Sequence, residues 1–316
     1  MNSIIQNNPF SIYDFLGYLF PGIFFVIIMA ILITTDTLCA GHLLNSICED
    51  NSVLENITTS NVLFFIILSY IAGHLLSYIS SLTIERLSLW LYGYPSEFLL
   101  GQRKNIGFWE SCVTTSGTAE GVNCNNCRCC VLSCVVTMLI RLIICSLTFP
   151  IIFFTMLGRI VNIKGFIIKP LDKLTCDLIY ERIKGIGNKL GFTIPNYAVD
   201  YSRIAYHYYI HAQNTIFMQK VNNYVALYGF LRVITLILNI TTMFVMIDSF
   251  FKGVIVANAW FIVVLMFVTY VSFLAYIKFY RRYTLEIFMF LVSDKDLVIN
   301  QHDHLSTLNI SFQVKI

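Results

Sequence analysis

The sequence predicts an all-α membrane protein, with four transmembrane helices arranged as two hairpins around a mainly helical cytoplasmic insertion. Three observations predict it. Of the 316 residues, 57% are hydrophobic and only 12% charged, with a mean hydropathy of +0.72, a balance that excludes an ordinary soluble globular domain. Several apolar runs approach the roughly twenty residues needed to cross about 30 Å of hydrocarbon. No Lys or Arg precedes Arg86, and such gaps set orientation because basic residues concentrate in cytoplasmic loops.

The apolar runs are residues 15–33, 62–82, 131–157, 231–251 and 254–277. No base stands ahead of the first, and residues 34–39 make a poor small-residue cleavage site, so this helix is expected to stay rather than be removed as a signal peptide. Pro21 and Gly22 within it are kink residues that membrane helices tolerate. The following loop holds Asp36, Glu49, Asp50 and Glu55 without a base and reads as external. Cys39 and Cys48 share that loop and can pair in an oxidising periplasm.

After the second run come Arg86, Arg103, Lys104 and Arg128, and further on Arg159, Lys164, Lys169, Lys173, Arg182, Lys184, Lys189, Arg203 and Lys220. Both stretches read as cytoplasmic. Run 131–157 then has cytoplasmic flanks on both sides, is too short to cross twice, and carries Arg141 near its middle. A charge at the bilayer centre costs at least about 2.5 kcal/mol. The run is therefore expected to be a re-entrant or interfacial helix, or a buried helix of the cytoplasmic region. A five-crossing alternative puts nine bases outside against Asp172, Asp177, Glu181 and Asp200, and stays open because long loops weaken the charge rule. The last two runs form a hairpin with a tight turn at 249–253, and Lys278, Arg281 and Arg282 set the C terminus inside. The resulting plan is an N-terminal hairpin, 1–82, a cytoplasmic region, 83–229, a C-terminal hairpin, 230–278, and a cytoplasmic tail, 279–316.

Within the cytoplasmic region, turn signals stand at 92–96, 114–126 and 185–195. Pro195 and Asn196 suit the start of a long helix from about Tyr197 that runs through Lys220 into the crossing at Leu231. Such a helix would couple the two compartments.

Polar residues inside the apolar runs are the first functional candidates. Ser69, Gly73, Ser77 and Ser81 recur every four residues and form a small-residue ridge on which another helix can close. The neighbouring stripe brings His74 to mid-membrane between Tyr70 and Tyr78, either hydrogen-bonded within a bundle or beside an ion path. Arg232, Thr235, Asn239, Thr242 and Ser249 share one face of the third crossing. They serve either as hydrogen-bonding glue between helices or as the lining of a pore built from several copies.

In the cytoplasmic region, Arg203, His207 and His211 follow an every-four spacing among Tyr201, Tyr206, Tyr208 and Tyr209. Together with Lys169, Lys173, Arg182, Lys184 and Lys189 they form a candidate face for a phosphate-bearing ligand or anionic lipid headgroups; a solvated charged surface is the plain alternative. Cys124, Cys127, Cys129, Cys130 and Cys134 crowd together without the two separated pairs that suit zinc, so they are weak metal candidates. No Walker loop, Gly-x-Ser-x-Gly or dinucleotide fingerprint is present, and neither enzymatic activity nor a cofactor is expected.

The stretches YDFLGYLFPG from Tyr13 to Gly22, YGYPS from Tyr92 to Ser96, KPLD from Lys169 to Asp172, NYVALYGFLR from Asn223 to Arg232 and KFYRRY from Lys278 to Tyr283 resemble a family of bacterial membrane proteins found among anti-phage defence systems, of the Hailong effector type. The resemblance implies a channel-like membrane effector held in check by a nucleotide-derived ligand. Together with the polar stripe, the long helix and the basic region it leads to the expectation of an oligomeric effector or channel of the bacterial inner membrane, controlled by a nucleotide or oligonucleotide ligand or by a partner. The alternative is a non-conducting anchor or scaffold that recruits a cytoplasmic partner enzyme from the same operon. The cysteine cluster and the segment 114–126 lie outside that resemblance.

Overall fold

The computed structural model describes residues 15–34, 59–102, 128–160, 169–191, 201–211 and 215–293, and every regular element among them is helical. A π-helical turn, Phe15–Leu19, leads into α1, Phe20–Thr34. Helix α2, Thr59–Ser80, passes through a second π-helical turn, Ser81–Glu85, into α3, Arg86–Tyr92, and α4 spans Pro95–Leu99. Helices α5, Arg128–Leu147, and α6, Phe149–Ile160, follow, then α7, Lys173–Leu190, and α8, Tyr201–His211. The two longest of the described helices come last among them: α9, Thr215–Phe251, and α10, Ala259–Ser293. Helices suit these apolar sequences because hydrocarbon offers no partner for backbone N–H and C=O groups, which must be satisfied within the segment.

Three stretches, Val62–Leu99, Gln219–Phe251 and Ala259–Ser293, are long and apolar enough to cross a bilayer. A bent pair, Val135–Leu147 with Phe149–Gly158, meets at 85° and makes a fourth if it counts as one span; Gly17–Leu32 is apolar but shorter. This is the pattern of a multi-pass membrane protein.

The chain divides into two compact units. Unit one comprises Met1–Gly93, Lys104–Ile168 and Asn222–Arg282, and unit two comprises Tyr94–Arg103, Lys169–Val221 and Tyr283–Ile316. Unit one has its main core where α2, the π-helical turn after it, α3, α5, α6, α9 and α10 bring Leu76, Ile84, Leu87, Ile144, Ile151, Ile237, Phe273 and Tyr276 together. A smaller cluster joins Leu32 of α1 to Val245, Ile262 and Met266. The hairpin between α9 and α10 turns at Gly253, whose φ of 68° suits glycine. The side chains of Phe250, Phe251, Val256 and Trp260 around this tip are all exposed.

In unit two, α7 buries Ile179, Ile183 and Ile186 along one face, and the Leu171 amide donates to the Leu99 carbonyl at 2.9 Å. Phe217 stacks on Phe290 with centroids 3.8 Å apart, and Lys220 pairs with Glu286 at 2.7 Å. Asp172 caps α7, accepting from the Thr175 amide at 2.9 Å and its hydroxyl at 2.7 Å. These bonds hold the Asp172 carboxyl below its ordinary value of 3.8. A depressed carboxylate contributes stability above its unfolded pKa and loses it as pH falls through the folded one. The protection factors of the first amides of α7, taken against the intrinsic exchange rate at each pH, are therefore expected to fall when the solution is taken below pH 3.8, and the change is expected to be absent in Asp172→Asn.

The architecture departs from the sequence plan in two places, the end of the second helix and the long helix from Tyr197. The second helix does not end at residue 82 but continues to Tyr92, stopping at Gly93 with φ 75°; the charge of Glu85 does not end it because a partner, described below, neutralises it. Residues 131–157 group with unit one, and the 85° bend within them is that of a broken span or a re-entrant loop, the latter being one of the forms expected from the sequence. The long helix expected from Tyr197 is instead two elements, α8 and α9, and α9 begins at Thr215. The loop with Cys39 and Cys48, the segment 114–126, the helix start at Pro195 and Asn196, and the tail from 294 lie outside the described residues.

Candidate functional site

The polar face of α9 is the most organised feature of unit one, and each of its members meets a group of the same chain. Arg232 Nη1 donates to the Glu85 carboxylate, Nε to Ser80 Oγ at 3.1 Å, and Nη2 to the Ser77 carbonyl at 3.5 Å. Thr235 Oγ1 and Ser272 Oγ lie 2.9 Å apart. The Thr235 hydroxyl also reaches the Leu231 carbonyl at 2.8 Å, which leaves Ser272 as donor to it. Asn239 Nδ2 donates to the Leu147 carbonyl at 2.7 Å. Thr242 and Thr269 hydroxyls are 3.1 Å apart, and Asn258 Nδ2 donates to Ser249 Oγ at 3.0 Å. Thr235, Asn239, Thr242 and Ser249 are all buried. The face thus ties α9 to α2, to the end of α5 and to α10, each bond worth about 0.6 kcal/mol in membrane helices.

The small-residue ridge of α2 meets the start of the chain. A Cβ at Gly22 would fall 1.8 Å from the Ser69 carbonyl oxygen, and one at Gly73 1.9 Å from that of Tyr18. Backbones touch here, at positions where only glycine fits. Ser77 offers its carbonyl to Arg232, and Ser81 is half-buried in the π-helical turn. His74 is exposed on the side of α2, stacked on Tyr18 at 3.9 Å and edge-on to Tyr70 at 4.5 Å.

Arg141 requires a corrected reading. Its side chain is only 3% exposed and sits 5.0 Å over the Trp90 ring. The cost of a charge in lipid does not apply to a guanidinium sheltered by protein and an aromatic face, so Arg141 is no argument against placing α5 among the apolar helices.

In unit two, Lys169, Lys173, Lys184, Lys189, Arg203 and His207 are exposed and Arg182 is half-buried; the side chain of His211 lies outside those described. α7 and α8 come together where Tyr180 meets Tyr201 edge-on at 6.3 Å and where Lys189 Nζ donates to the Tyr208 hydroxyl at 3.3 Å. Lys184 shares a shallow depression with Asp177, Glu181 and Tyr180, so carboxylates interleave with the bases and the face is of mixed sign. Burial pushes the Tyr180 hydroxyl up, against the hydrogen bond from Gln102 Nε2. Burial also raises the Cys176 thiol, helped by Asp172 and Asp177.

Cys124 and Cys127 lie outside the described residues, as do the side chains of Cys129, Cys130 and Cys134 on α5. Among the described residues, no three His, Cys, Asp or Glu side chains gather in a way that would hold a metal. Residues that the sequence reading missed are Glu85, Ser80, Ser272 and Thr269, the partners of the α9 face. The signal for the last two is their own three-residue spacing on α10, which puts them on one side of that helix. No protein-family model matches the chain, and neither does any curated protein or solved structure.

Proposed function

We propose that the chain is a ligand- or partner-controlled membrane effector of the channel-like class, working as a homo-oligomer in the bacterial inner membrane with both termini cytoplasmic. The observation that supports it is the continuity of α9 and α10, each of which contributes residues to both compact units. A ligand bound to unit two, of nucleotide or oligonucleotide type, or a partner enzyme docked there, shifts the membrane helices only if it binds two states of the chain unequally. The sequence resemblance adds the anti-phage setting. Purified protein in liposomes is expected to pass small ions, with a rate altered by the ligand or partner. Absence of flux in every condition, with membrane potential unchanged on expression, would sink the proposal.

A second reading, a non-conducting anchor that recruits a cytoplasmic enzyme, is favoured by the polar face itself. Arg232, Thr235, Asn239 and Thr242 all have partners within one chain, as glue requires and as the lining of a water-filled pore does not. Asn239→Leu separates the two: a conductor changes its flux or toxicity while still assembling, whereas an anchor loses assembly and has no flux to change.

A further inference from the structure

The break between α5 and α6 gathers oxygen acceptors, and we propose that it binds a monovalent alkali cation, Na⁺ or K⁺. The two helices meet at 85°, with Thr148 between them. Pro150 has no N–H to return to the Ser146 carbonyl four residues back. The amides of Ile151 and Ile152 both donate to the Thr148 carbonyl, each at 3.1 Å. The Thr148 hydroxyl, buried, spends its hydrogen on the Ile144 carbonyl at 2.7 Å, so its oxygen offers lone pairs alone. Into this break comes Asn239 from α9, 2% exposed, with Nδ2 on the Leu147 carbonyl at 2.7 Å. Its buried Oδ1 has no hydrogen-bond partner among the described residues.

These oxygens stand at the C-terminal, electronegative end of α5, and they are neutral. Divalent ions favour carboxylate ligands, whereas carbonyl and amide oxygens at the end of a broken helix suit a singly charged ion that sheds its water easily. The nearest cation on α5, Arg141, is about 9 Å back along the axis at the helical rise, with its guanidinium over Trp90. The site goes beyond the proposed function, since it would serve a conducting and a non-conducting protein alike.

Thermal unfolding of the full chain in detergent, in equal concentrations of NaCl, KCl and N-methyl-D-glucamine chloride, tests it without any measurement of flux. The melting temperature is expected to be higher in NaCl or KCl than in the bulky salt, saturably. Asn239→Ala is expected to abolish the salt difference, and Asn239→Gln, which keeps both amide groups but displaces them by one methylene, to weaken it several-fold. Equal melting in all three salts would overturn the proposal and leave water at the break, as would a sodium or potassium effect undiminished in Asn239→Ala. If Asn239→Ala does not fold, the wild-type comparison and Asn239→Gln still decide.

Discussion

Gly22→Val is expected to be among the most damaging single substitutions in this chain. In an ordinary exposed helix, replacing glycine by alanine is favourable by about 0.8–1.0 kcal/mol. Here the new Cβ would meet the Ser69 carbonyl oxygen at 1.8 Å, and that neighbour is backbone, which cannot rotate aside. Overpacking a fitted interface typically costs about 1–3 kcal/mol, occasionally more, so the sign reverses. The two further methyls of valine force α1 and α2 apart, exposing Ser69, whose side chain is now buried. Gly73→Val acts on the same contact from the opposite helix, 1.9 Å from the Tyr18 carbonyl oxygen. Folded yield and melting temperature in detergent should fall sharply for both, while Gly229→Val, with nothing within 4 Å, should melt much closer to wild type. If Gly22→Val melts like wild type, the close approach of α1 and α2 is not as described.

The second large effect is expected at the ion pair of Arg232 and Glu85. Removing one member of a buried pair costs about 3–5 kcal/mol because the other is left charged and alone. With side chains 14% and 31% exposed, this pair should fall at or below the lower end of that range, since residual solvent screens the charges. Arg232→Leu strands the Glu85 carboxylate and also leaves Ser80 Oγ and the Ser77 carbonyl without their guanidinium donor. Glu85→Gln is milder, keeping an acceptor for Arg232. The exchange Glu85→Arg with Arg232→Glu should recover part of the loss measured for either single change by thermal unfolding. A double variant no better than the worse single would show that the charges do not act as a pair.

What was legible in the sequence was whatever repeats along one helix. The apolar runs, the turn at Gly93 ahead of Pro95, and the shared face from Arg232 to Ser249 all follow from local composition and helical period. Partnerships across the fold were not legible. Arg232 and Glu85 are 147 positions apart, and no periodicity reports which distant residue a polar stripe will meet. Run 131–157 looked like one apolar segment because hydropathy sums over direction, so the 85° turn at Thr148 left no mark except Pro150. The separation of α8 from α9 was missed because no Gly or Pro stands between His211 and Thr215; Asn214 and Thr215, both residue types that favour helix starts, were the only hint.

The hairpin tip carries a consequence for the surrounding lipid. Trp260, 79% exposed, and Lys278 sit on the same helix about 27 Å apart at the α-helical rise, near the thickness of an average hydrocarbon layer of about 30 Å. An aromatic ring at one end and an ammonium group at the other both seek the headgroup zone. For an α10 that crosses between these two groups, shorter-chained lipids would tilt the helix or lift the ring cluster of Phe250, Phe251 and Trp260 into water, making acyl-chain length a mechanical load.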